Sequence, residues 1–242
     1  MDTQPLPVLD DPPAVGGVLG IGLEQFGARV QHPAGLLQVL HDLSREAVAA
    51  VPAVQGAGVI IHFRGAPFTV AHTGSWVPAL TDRECENRDG PALRALRTQH
   101  VVAAGRGDLL AGWPALAEAV DGAGVSAVHA APFRVNLHPV GVLALYSTGV
   151  DVIDPPAERL GLITGLLTAA VGGYCAAHPH EDHAMRLQKE LHHRHLVARA
   201  TGILMGRHRV TQDEARRMLD DHATSGKVTV LTAARAIIRH HT

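Results

Sequence analysis

Cysteine is nearly missing from this chain: Cys85 and Cys175 are the only two among 242 residues, and they stand far apart. That scarcity leaves no Cys-x-x-Cys pair for a zinc ribbon and no spacing for a disulfide framework, and it suits a reducing, cytoplasmic setting. No His-Glu-x-x-His occurs either. The 17 histidines gather instead as His178, His180 and His183 and as His192, His193 and His195, of which only 192 and 195 share a helix face at i, i+3. They read as solvated side chains of a helical linker, so neither a metal nor a cofactor is expected. Phosphate loops, nucleophile elbows and catalytic triads are also missing, so no catalytic residue is nominated and no enzyme is expected. Ser44-Arg45-Glu46 and the Asp82-Arg83-Glu84-Cys85-Glu86 run supply acids that read as capping groups and a solvated loop. Residues 1–31 are rich in Pro and Gly and place Asp10 and Asp11 before the apolar Val15–Leu23 run, where a signal peptide needs cations. A flexible leader is expected there, and neither a signal peptide nor a membrane span.

Helical periodicity is strongest near the other end. Leu196, Val197, Ala200, Ile203 and Leu204 fall at i, i+1, i+4, i+7 and i+8, one apolar face of a helix. Arg207, His208 and Arg209 close it, and Thr211 with Glu214 then forms a capping box that opens another. Ala215, Met218, Leu219 and His222 mark the inner face of that second helix. Val230, Leu231, Ala234, Ile237 and Ile238 repeat the first pattern in a third. At about 100° per residue, Leu187, Leu191, Ala198 and Met205 form a second stripe on the first helix. Two apolar faces need two partners, which predicts a homodimer through this seam unless the preceding domain covers it.

This tail resembles the ANTAR domain, the RNA-binding output module of bacterial transcription antiterminators. The likeness rests on Arg194, Val197 and Ala200-Thr201-Gly202-Ile203-Leu204-Met205, then on Thr211, Glu214-Ala215, Leu219 and Ala223, and on Ala233-Ala234 with Ile237-Ile238. It covers residues 185–240. Three positions depart from the family pattern: Thr201 stands for its usual Lys, Asp220 for an Arg and Arg216 for an aromatic. Phosphate neutralisation and stacking drive RNA affinity, so restoring charge with Thr201→Lys and Asp220→Arg is expected to strengthen binding. By this resemblance the RNA contacts are Arg194, Arg199, Arg207, Arg216 and Lys227.

Charge is polarised along the chain. From Arg186 onward there are 11 Lys or Arg against 5 Asp or Glu, a net of +6, whereas the residues before it carry 10 and 18, a net of −8. A basic segment behind an acidic one is the footprint expected when only the tail meets nucleic acid.

The front part reads as α+β. Leu36–Val48 has helical spacing, and Gly58–Phe63 pairs with Phe68–His72 across Arg64-Gly65-Ala66-Pro67 as a hairpin. Val125–Phe133 and Val140–Tyr146 make a second hairpin through Asn136. Helical segments lie near Pro91–Thr98 and Trp113–Val120, and Asp154-Pro155-Pro156 opens a helix over Ala157–Ala176. Sequential hairpins with flanking helices predict an antiparallel sheet with helices on one face. The break comes at His178-Pro179-His180-Glu181-Asp182, dividing residues 32–177 from 178–242.

Asp89-Gly90-Pro91 with Leu93 and Leu96, Asp108-Leu109 before Trp113-Pro114, Gly124-Val125 through Ala131-Pro132, and Gly141-Val142-Leu143 with Leu145-Tyr146-Ser147 resemble the GAF domain found ahead of ANTAR domains in actinobacteria. Ala92 replaces a frequent Cys, which removes a thiol sensor. The resemblance implies a small-molecule or dimerisation module, with His62, Trp76, Trp113, His129 and Tyr146 as candidate ligand contacts, although lone rings are more often core. The combined reading is a signal-responsive regulator that binds RNA hairpins in nascent transcripts to control termination. Its rivals are a ligand-binding or dimerisation protein whose tail no longer binds RNA, and a DNA-binding regulator.

Overall fold

The computed structural model describes residues 23–63, 66–179 and 182–240, and the chain divides into two compact units, residues 1–179 and 180–242. Residues 1–22 of the leader expected over residues 1–31, the Arg64-Gly65 turn and His180-Glu181 lie outside the described residues. From Leu23 the backbone is already helical, as α1 (Leu23–Val30), so the stretch assigned to the leader ends in a helix. Pro33 then sits in the first turn of α2 (Pro33–Ala50), where its missing N–H costs nothing. The inward face of α2 carries Leu36, Leu40, Leu43 and Ala47, all fully buried, and Ser44 satisfies its hydroxyl on the Leu40 carbonyl at 2.8 Å.

Five antiparallel strands follow, β1 (Gly56–Ile61), β2 (Phe68–His72), β3 (Val102–Gly105), β4 (Ala127–Val135) and β5 (His138–Ser147), in the spatial order β2-β1-β5-β4-β3. The β4–β5 hairpin turns at Asn136 and Leu137, whose φ of 49° and 67° supply the doubly left-handed geometry of a tight two-residue turn. The register aligns Val59 with Leu143 and Ala130 with Ala144. Ile60, Val128, Ala130, Val142, Ala144 and Tyr146 therefore point to one face, into a cluster with α3 (Val77–Asn87), α4 (Pro91–Thr98), α5 (Arg106–Gly112) and α6 (Ala117–Ala123). Their neighbours Val59, Ile61, Leu143 and Leu145 are just as buried on the other face, on the side of α2 and α7 (Ala157–Ala177). Helices thus cover both faces, not one. The strands say why: Gly-Ala-Gly-Val-Ile-Ile in β1 is buried at every position and β5 is buried from Val140 onward, a continuous apolar pattern that only a two-sided core explains. Helix α7 is long and apolar enough to cross a membrane by length and composition. Here it packs on β4 and α2, with Ile163, Leu167, Ala170, Val171 and Tyr174 buried.

The second unit is three helices, α8 (His183–His208), α9 (Gln212–Ser225) and α10 (Val230–Arg239). Asp182 caps α8 by accepting from the Met185 N–H at 3.0 Å. Thr211 and Glu214 form the reciprocal capping box of α9, and Thr229 caps α10. The core is Ala200, Leu204, Ala215, Leu219, Ala223, Ala233 and Ala234, with Val197, Met205, Met218, Val230, Ile237 and Ile238 packed around it. Five of its seven buried residues are alanines, so the helices approach closely and tolerate little added volume. His222 is exposed, and Ala223 takes the inner position assigned to it. Leu231 is half-buried outside this cluster.

Candidate nucleic-acid interface and ligand site

The inner face of α8 is turned from the one the periodicity suggested. Val197, Ala200 and Leu204 do face α9 and α10, but Leu196 and Ile203 are half-buried outside the cluster, and Thr201 and Met205 lie on the inner side instead. Of the four seam residues Met205 therefore packs in the three-helix core, whereas Leu187 is buried outside that core, Leu191 is half-buried and Ala198 is exposed. Thr201 is only 6% exposed, and its hydroxyl donates to the Val197 carbonyl at 2.9 Å. A lysine there would start from a buried Cβ, so the expected gain in charge carries a packing penalty.

Among the predicted RNA contacts, Arg199 and Arg207 are exposed on α8 about 80° apart around the axis, while Arg194 is half-buried and lies about 140° from Arg199. The helix therefore does not gather all three on one side. Arg216 is exposed on α9, but its Nε lies 3.6 Å from Asp220 Oδ1, an i, i+4 pair that offsets its charge locally. Lys227 sits in the turn between α9 and α10 at φ 50°, and Arg209, which ends α8, has φ 54°. Both interhelical turns place an exposed cation in a left-handed position that Gly or Asn usually fills. In the sequence Arg209 reads only as a complement to the helix dipole, which hides its place in the turn. The available signal was the lack of any glycine between the end of α8 and the capping box.

In the front unit the five candidate ligand residues do not converge. Trp76 and Tyr146 meet edge to face, with centroids 6.0 Å apart and planes at 77°. Trp113 is buried in the same cluster, and the Arg94 guanidinium carbon lies 5.9 Å from its ring. These three fill the interior on the α3–α6 side. His129 belongs to the opposite face by strand alternation. Burial pushes its imidazole below the ordinary value, against the opposing pull of the Ile153 backbone and Asp154. His62, just past β1, lines a separate pocket of about 310 Å³.

Glu84, grouped by sequence with a solvated loop, is 1% exposed. It is a capping group, though one reaching across from α3: its Oε2 accepts from the Ala92 N–H at 2.8 Å and the Leu93 N–H at 3.3 Å, closing the first turn of α4. Gly90, at φ 153°, makes room, since a Cβ there would run into the Glu84 carboxyl. Burial outweighs the two N–H donors and, with Asp89 nearby, pushes the carboxyl up to about 8. Burial and then the Glu84 charge hold the Tyr146 phenol well above its usual value. The missed signal was helical spacing: Val77, Leu80, Thr81 and Glu84 share one face of α3.

No curated protein matches the chain. Among solved structures, the GAF domain/HD domain protein from Geobacter sulfurreducens is similar at 18% identity, covering 62% of this chain and 97% of that one with a TM-score of 0.43. The free methionine-R-sulfoxide reductase from Neisseria meningitidis, solved with its substrate, is similar at 14% identity over 64% of this chain and 89% of that one, with a TM-score of 0.45. For the tail, the match is to a family whose members are RNA-binding modules of antitermination regulators: residues 185–238, spanning α8 to α10, are an ANTAR domain.

Proposed function

We propose that the protein is a cytoplasmic, signal-responsive regulator in which a dimer of the ANTAR domain binds RNA hairpins of a nascent transcript and controls termination, while the GAF-like front unit receives a small-molecule signal. The observation that carries this reading is the ANTAR match over a tail of net charge +6. Exposed Arg199, Arg207, Arg209 and Lys227 supply the phosphate contacts, and Arg216 supplies a guanidinium plane for stacking once released from Asp220. Arg194 is the remaining candidate contact, one turn before the core of α8. Leu191 and Ala198, half-buried and exposed outside the three-helix core, form the dimer seam, whereas Leu187 is already buried within the chain.

The test is a titration of the full chain with a fluorescent two-hairpin RNA at several salt concentrations. Affinity should fall steeply with salt, and Arg207→Ala should lower the slope by about one. Equal affinity for hairpin DNA would favour a DNA-binding regulator. A complete lack of salt-dependent RNA affinity would leave the ligand-binding or dimerisation reading in place.

A further inference from the structure

Just past the end of β1, at His62, a pocket of about 310 Å³ opens against α4. Its walls are Leu93 and Leu96 from α4 together with Pro67 and Pro139, all apolar, and its charged groups are Arg88 and Arg97. No acid lines it. The volume is at the lower end of the range for small-molecule sites and holds roughly ten non-hydrogen atoms at about 30 Å³ each.

The two arginines are held differently. Arg97 is fixed by the protein itself: Nη1 donates to the Arg88 carbonyl at 3.0 Å and Nη2 to Asp89 Oδ1 at 2.9 Å. Asp89 is thereby committed to Arg97, whose hydrogen bond is the largest influence holding that carboxyl below its usual value. Among the described residues no carboxylate pairs with Arg88. Arg88 ends α3 at φ 53°, a position where glycine is the least strained choice. The chain instead carries a long cation there, and its side chain lines the pocket. An unneutralised guanidinium above four apolar walls asks for an anion with a compact apolar body, and its planar fork matches a carboxylate with two parallel N–H donors.

We propose that this pocket binds a small monocarboxylate, with Arg88 on the carboxylate and the apolar body between Leu93, Leu96, Pro67 and Pro139. The assignment rests on the reading of the front unit as a sensory module and gives that module a ligand class. The test uses benzoate as the probe, with benzyl alcohol and benzylamine as neutral and cationic counterparts, by calorimetry and ligand-observed NMR on the full chain. Benzoate should bind at least about tenfold more tightly than either counterpart. Arg88→Asn, which tolerates the left-handed backbone, should weaken benzoate about tenfold and leave benzyl alcohol unchanged, and Arg88→Lys should fall between. Thermal melts establish that both variants are folded. Equal binding of benzoate and benzyl alcohol, benzoate binding indifferent to both Arg88 variants, or no benzoate binding at millimolar concentration would each overturn the proposal. RNA affinity measured on the same samples keeps the two readings distinct. Benzoate bound through Arg88 without any RNA affinity supports the pocket and refutes the regulator, whereas RNA binding without benzoate binding does the reverse.

Discussion

Replacing Glu84 by Gln should abolish most of the pH dependence of the front unit's stability between pH 5 and pH 8. In the folded chain the carboxyl is pushed up to about 8 from an ordinary 4.5, chiefly by burial. The folded state therefore holds a proton that the unfolded chain has released throughout that window. Its stabilising effect is complete below 4.5 and is lost as pH rises through 8. At about 1.36 kcal/mol per pH unit for one proton, the interval is worth on the order of 5 kcal/mol. Glutamine keeps an oxygen acceptor for the Ala92 and Leu93 N–H groups and cannot ionise. At pH 5 the variant should lie within about 1 kcal/mol of the natural sequence. At pH 8 it should be the more stable of the two by several kcal/mol. Urea titrations followed by tryptophan fluorescence report this unit alone, because the only tryptophans are Trp76 and Trp113. Parallel pH profiles for the two proteins would refute the assignment of a buried, protonated Glu84.

Other expectations concern the tail. Thr211→Ala removes one half of the α9 capping box and should cost about 1 kcal/mol in chemical denaturation of the second unit followed by far-UV dichroism. Leu191→Asp puts a charge on the seam and should shift a dimer toward monomer in light scattering; a natural protein that is monomeric at micromolar concentration would eliminate the seam. Asp220→Arg frees Arg216 and adds a cation, so it should tighten hairpin RNA and steepen the salt slope. Thr201→Lys should lower the melting temperature and give less gain in RNA affinity than Asp220→Arg, because Thr201 is buried; the opposite ranking would show that position 201 reaches solvent.

Local patterns were legible where one element speaks for itself. Both hairpins, α2, α7 and the three tail helices follow from periodicity, caps and turn residues read in isolation. What escaped depended on neighbours. Strand β3 is a four-residue edge, Val-Ala-Ala-Gly, too short and too low in β-branched residues to stand out from the helices beside it. Helix α3 begins with Val77-Pro78 and carries Asp82, Arg83, Glu84 and Glu86, so composition suggested solvent although its Val77–Leu80–Thr81–Glu84 face is buried. The second helical layer was implicit in the unbroken apolar runs of β1 and β5. Counting hairpins gave the sheet without its second face.

The candidate sites divide along the same physical line. Thr201 and Asp220 look alike in sequence, each a lost cation in the ANTAR pattern, yet packing separates them. Asp220 is a surface charge whose effect travels through the adjacent Arg216, so its consequence is electrostatic and reversible by one substitution. Thr201 has its hydroxyl tied to the helix backbone and its side chain against the three-helix core, so its consequence is steric before it is electrostatic. Residue type alone says which charges are absent. Whether an absent charge weakens a surface or completes a core depends on which side of the helix the position occupies, and a rotation of α8 by a fraction of a turn decides it. Arg88 and Arg209 extend the argument to backbone conformation, since each gains its place beside a pocket or in a turn from a left-handed φ that the sequence marks only by the lack of a glycine.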